Sequence, residues 1–158
     1  MEKAQLEALL AQLKEEEESL QFDAINKTIA VDLGLFMVQE ARAQQKPFVI
    51  DIMLNGQQLF HCAMPGTEID HDHWIQRKVK MVHRTGHSSY YTGTSLKIHN
   101  VALEDAYFLQ RSEYAPYGGG FPLILRNCGM IGSICTSGMS EVEDHEFLIA
   151  CLRKFLQK

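Results

Sequence analysis

The chain has no run approaching the roughly 20 apolar residues of a membrane span, so a transmembrane helix is excluded. It has no block of Lys and Arg either. Fifteen basic residues against 20 acidic ones leave a formal charge of −5, which argues against binding driven by nucleic-acid phosphates. Its cysteines, Cys62, Cys128, Cys135 and Cys151, include no C-x-x-C pair. That removes zinc-knuckle spacing and a C-x-x-C-H haem attachment site. No G-K-[ST] completes a phosphate loop, no H-E-x-x-H is present, and no catalytic triad is visible. The acidic start, Met1-Glu2-Lys3-Ala4, lacks the features of a signal peptide, so the expectation is a cytosolic protein with four reduced thiols. What remains is 158 residues, 46% hydrophobic, enough for one domain around one core. Residues 1–158 read as a single domain, with a leader helix over 1–20 and a core over 21–158.

Leu6, Leu9, Leu10, Leu13 and Leu20 recur at helical steps in the leader, followed by an acidic run from Glu15 to Glu18. This stripe docks either on the domain's own sheet or on another subunit. A second helix, capped by Asp23 or Asn26, runs to about Gln45, where Lys46-Pro47 stops it. Ala30, Gly34 and Ala41, with Met37 between them, suit close packing on a sheet. Phe48–Leu54 and Gln57–Met64 flank Asn55-Gly56, a strong two-residue hairpin signal. Asp51, inside the first of these strands, is expected to face solvent or an edge.

A third helix follows Pro65-Gly66, with Thr67 as its N-cap and Trp74, Ile75, Val79 and Val82 as its core stripe. It fails near Gly86, and a further helix is possible from Ser88 to Asn100. Val101–Gln110 reads equally as helix or strand. Strands over Leu123–Leu125 and Met130–Thr136 surround a turn at Asn127-Cys128-Gly129. The last helix carries a capping box, Ser140 with Glu143, and a core face of Val142, Phe147, Leu148, Cys151, Leu152 and Phe155.

Histidine is in surplus, with seven residues that titrate near neutral pH. His71-Asp72-His73 has the look of a chelate, but residues two apart on a helix face different ways, and no metal is assigned. His61, His99 and His145 read as ordinary strand, loop and helix positions. His83 and His87 differ, because Arg84, Thr85, Ser88 and Ser89 surround them with donors suited to an anion or a carboxylate. Gly118-Gly119-Gly120 precedes a strand rather than a helix. It is either a pocket rim whose N–H groups face a ligand or a tight crossover. Cys135 lies on a strand pattern and reads as core.

The order of these signals resembles the haem-degrading domain family, in its uncharacterised cytosolic branch. The resemblance rests on the hairpin with Asp51 and Gly56, on Gly119-Gly120-Phe121-Pro122, on Gly129-Met130-Ile131-Gly132-Ser133-Ile134, and on Ser137-Gly138 with Asp144. Lys78 and Ser88-Ser89 match the family's helical lysine and the serine after that helix. The resemblance implies a profilin-like α+β fold, an antiparallel sheet with helices packed on it, and assembly into homo-oligomers. It also implies binding of haem or a small ligand. The expected function is therefore a small-ligand-binding domain taking haem or a small anionic carboxylate. A pocket near the third helix and the glycine loop would use Lys78, His83, Arg84, His87, Ser88 and Gly118–Gly120, with His83 or His87 as an iron ligand. The alternative is a non-enzymatic scaffold that binds protein partners, and whether the chain is an enzyme is left open.

Overall fold

The computed structural model describes Met1–Lys158. In chain order its elements are α1 (Lys3–Ser19), α2 (Lys27–Ala43), β1 (Val49–Leu54), β2 (Gln57–Ala63), α3 (Ile69–Thr85), α4 (Ser89–His99), α5 (Leu103–Tyr107), β3 (Gly120–Leu125), β4 (Gly129–Ser137) and α6 (Glu141–Leu156). Asn55 and Gly56 turn the chain between β1 and β2 with φ of 50° and 81°, the paired positive angles of a tight hairpin. The sheet has the order β2-β1-β4-β3, and every pairing is antiparallel. The fold is α+β, as the sequence implies.

Alternation along the strands sends side chains to two covered faces. Phe48, Ile50 and Ile52 join Phe121, Leu123 and Ile134 in the main core beneath α2 and α6. Phe48 stacks on Phe147 of α6 with ring centroids 4.1 Å apart. On α2, Ala30, Met37 and Ala41 are fully buried, and a Cβ on Gly34 would collide with the Phe60 ring. The small-residue face thus does what its spacing predicts. On the opposite face, Val49 and Cys135 pack against Ile75 of α3.

This two-sided cover corrects one expectation. Asp51 is not on a solvent-facing side but 2% exposed, because α3 lies over the face toward which it points. Other details shift as well. The N-cap of α3 is Glu68, whose N–H donates to His71 Nδ1 at 2.9 Å, while Thr67 turns back to donate to the Met64 carbonyl. The buried side of α3 holds Ile75, Lys78, Met81 and Val82, with Trp74 and Val79 only half-buried. Asn26 caps α2, Ser140 caps α6 as predicted, and the ambiguous stretch after Asn100 contributes the short α5. Val142 of α6 is 40% exposed rather than in the core. Leu13 and Leu20 of the leader are buried against the chain's own body, so α1 docks in cis.

Candidate functional site

Because α3 lies flat on the sheet, the face that buries Ile75 and Val82 also buries Lys78. Its ammonium donates to the Thr136 carbonyl at 3.0 Å and to Asp144 Oδ2 at 2.9 Å. Asp144 is held further by the Met139 N–H at 2.9 Å. Burial raises the Asp144 pKa, and the neighbouring Lys78 charge offsets only part of that rise. The Gly118–Gly120 segment makes this pairing possible. Gly119 has φ of 123°, and a Cβ there would stand 2.6 Å from Lys78 Nζ. A Cβ on Gly118 would strike the Glu141 carbonyl, and one on Gly120 would stand 2.9 Å from Ser89 Oγ. The glycines therefore form a close crossover, and Gly118 also lines a cavity of about 380 Å³ with Asp70, His71, Trp74, Lys78 and Ser137.

A second polar cluster forms where α3 meets α4. Gly86, at φ 74°, ends α3 in the left-handed conformation. Ser88 caps α4 by accepting from the Tyr91 N–H at 3.0 Å. The Ser88 N–H donates to Glu17 Oε1 at 2.7 Å, and His87 Nδ1 meets Glu17 Oε2 at 2.8 Å. The His87 ring stacks on Tyr91 with centroids 4.3 Å apart. The donors at this helix start thus hold a carboxylate, and it is the protein's own. His83 and Arg84 lie beside them at the surface, and partial desolvation against the protein lowers the His83 pKa, favouring neutral imidazole.

The eight sequence-derived positions consequently divide. Lys78 and Gly118–Gly120 gather at the sheet end of α3, whereas His83, Arg84, His87 and Ser88 gather at its C-terminal corner. Ser89 joins the groups, accepting from the Gly120 N–H at 2.9 Å and donating to the Gly120 carbonyl at 3.4 Å.

Two histidines read as ordinary are not. His145 Nε2 meets Glu16 Oε2 at 2.7 Å, both side chains nearly fully buried, so consecutive glutamates pin α1 to α6 and α4. His61 bridges two carboxylates, with Nδ1 2.8 Å from Asp51 and Nε2 2.7 Å from Asp72. Burial alone would lower the His61 pKa, but hydrogen bonds and charge from Asp51 and Asp72 outweigh it and raise it. His71 and Asp72 turn to different partners, Glu68 and His61. Cys135 is fully buried, and burial pushes its thiol pKa far up, as core placement requires.

Residues 25–153 match the family of haem-degrading proteins described as HbpS-like. The chain belongs to that family. A UPF0303 protein of Edwardsiella ictaluri is 43% identical over 150 residues, 95% of this chain and 96% of the relative. A UPF0303 protein of Streptomyces coelicolor is 37% identical over 147 residues, 93% of each. Among solved structures, the Ybr137w protein superposes with a TM-score of 0.86 at 31% identity, covering 99% of this chain and 96% of its own. The PduOC:heme complex gives 0.69 at 19% identity, over 82% of this chain and 93% of that one. At that identity it speaks for the HbpS-like fold. No helix is long and apolar enough to cross a membrane.

Proposed function

We propose that the protein is a ligand-binding domain that acts as a homo-oligomer and takes haem at the corner between α3 and α4, with His87 as iron ligand. The state of the His87 ring carries this reading. Nδ1 is held by Glu17 at 2.8 Å, Nε2 makes no hydrogen bond within the chain, and the side chain is 44% exposed. A carboxylate on one ring nitrogen fixes the tautomer and leaves the other as an oriented, basic donor, as at metal-binding histidines generally. Neutral imidazole is a suitable axial donor to haem iron. His83 offers a further imidazole, held neutral by its lowered pKa, and Arg84 would pair with propionates. Haem, when bound, supplies redox-active iron; the chain's part is to orient it. The family's description and the haem complex of the PduOC relative support this reading.

His87 lines none of five cavities of about 380–740 Å³, and a second copy of the chain would enclose a ligand at this corner, which makes assembly part of the proposal. Free small carboxylates are less well served, because Glu17 already takes the Ser88 N–H and the His87 ring. Gly120 ties β3 to α4 through Ser89, and Lys78 ties α3 to Thr136 of β4 and Asp144 of α6. Hemin titration tests the reading. A Soret shift that is lost in His87→Ala is expected; no shift, or one unchanged in His87→Ala, overturns it.

A second reading, the non-enzymatic scaffold, draws on apolar side chains left at the surface. Phe108 is 89% exposed and Leu35 52%. Light scattering on Phe108→Ser and Leu35→Glu should then show smaller assemblies, and unchanged size in both removes these surfaces from assembly.

A further inference from the structure

We infer that the cavity between α3, Tyr117-Gly118 and the start of α6 is a ligand site of its own, taking a small metabolite that carries both a protonated amine and an oxygen terminus. The cavity measures about 380 Å³, near the lower end of the roughly 300–1,000 Å³ of small-molecule pockets. Its floor is rich in donors. The Lys78 ammonium has three N–H groups, and Thr136 and Asp144 accept two of them. Ser137 lines the cavity, and its hydroxyl can both donate to and accept from a group that enters it. His71 adds a third donor on the wall. Because its Nδ1 accepts from the Glu68 N–H, the ring proton of the neutral form lies on Nε2.

The rim is rich in acceptors instead. Asp70 and Glu141 line it, and Glu141 is shared only with Lys97 at 3.5 Å. Three lining carboxylates (Asp70, Glu141 and Asp144) face one ammonium, that of Lys78, and leave the lining net negative. A purely anionic ligand meets repulsion at this rim, while a purely cationic one leaves the floor donors unmet. A ligand with an amine at one end and a hydroxyl, carbonyl or carboxylate oxygen at the other answers both. Trp74 and Tyr117, with ring centroids 5.7 Å apart in an edge arrangement, supply an aromatic wall, and Trp74 already holds a cation, the Arg77 guanidinium 4.4 Å from its ring centroid.

The test compares short probes on the full-length protein. Ethanolamine and glycine carry both termini, ethylamine lacks the oxygen, and acetate lacks the amine. Calorimetry and thermal shift are expected to show binding of the two-ended probes above either one-ended control. Ser137→Ala and Asp70→Asn should each weaken it about three- to tenfold, the worth of one hydrogen bond. Both substitutions are small, and circular dichroism checks that the variants stay folded. His87→Ala should leave probe binding unchanged, which separates this site from the haem corner. One-ended probes binding as tightly as two-ended ones, insensitivity to both cavity variants, or no binding at millimolar probe overturns the inference.

Discussion

The Glu17 carboxylate and the His87 imidazole are 70 residues apart in sequence and 2.8 Å apart in space. One oxygen of Glu17 caps the α4 start through the Ser88 N–H while the other orients His87. The leader helix is therefore built into the corner between α3 and α4 and is not an appendage to it. Glu17→Ala leaves the Ser88 N–H and the His87 ring without their acceptor. The expected loss is about 1–3 kcal/mol in urea unfolding, with faster amide exchange across α1. Unchanged stability and exchange would show that Glu17 does not anchor the leader.

Lys78 and Asp144 should behave as a buried pair. Lys78→Met strands a buried carboxylate and is expected to cost about 3–5 kcal/mol. Adding Asp144→Asn to that variant should recover part of the loss, because the stranded charge is then gone. A double variant no more stable than Lys78→Met would argue against charge burial as the cause.

His61 sets a pH dependence of definite sign. Protonated, it donates to both Asp51 and Asp72; neutral, it has one N–H and can donate to only one of them. Its folded pKa is raised, so its stabilisation is complete below the unfolded value of about 6.5 and is lost as pH rises through the folded one. Melting temperatures across pH 6 to 9 should fall more steeply for the wild type than for His61→Gln. Parallel profiles would remove His61 from the linkage.

Two glycines should respond unequally to alanine. A Cβ on Gly93 would collide with the Pro116 carbonyl, whereas nothing lies within 4 Å of one on Gly56. Gly93→Ala should cost more, about 3 kcal/mol or above, through forced backbone movement. Gly56→Ala meets only the left-handed penalty of its φ of 81°, about 1–2 kcal/mol. Equal effects in denaturant titration would contradict the packing described.

Much of the local structure was legible in the residues. Asn55-Gly56, Ser140 with Glu143, and Gly86 each mark a boundary by their own backbone or capping chemistry. The environment of Asp51 was not legible. An ideal two-residue hairpin sets Asp51 opposite Phe60, but a register shift between Ile52 and Met53 brings His61 there instead. That shift arises in strand pairing and has no sign in the residue order. His145 was similarly opaque, since its partner Glu16 lies 129 residues away.

Apolar periodicity, caps and turn residues, which act within a few positions of one another, were enough for the sequence alone to place most of the helices and the hairpin, and the α+β class followed from the family resemblance. The charged partnerships were decided only by the tertiary structure. Covering both sheet faces turned Asp51 and Lys78 inward, and docking α1 brought Glu16 and Glu17 to His145 and His87. A buried charge must find its counterpart wherever the fold places one, and chain order carries no record of that place.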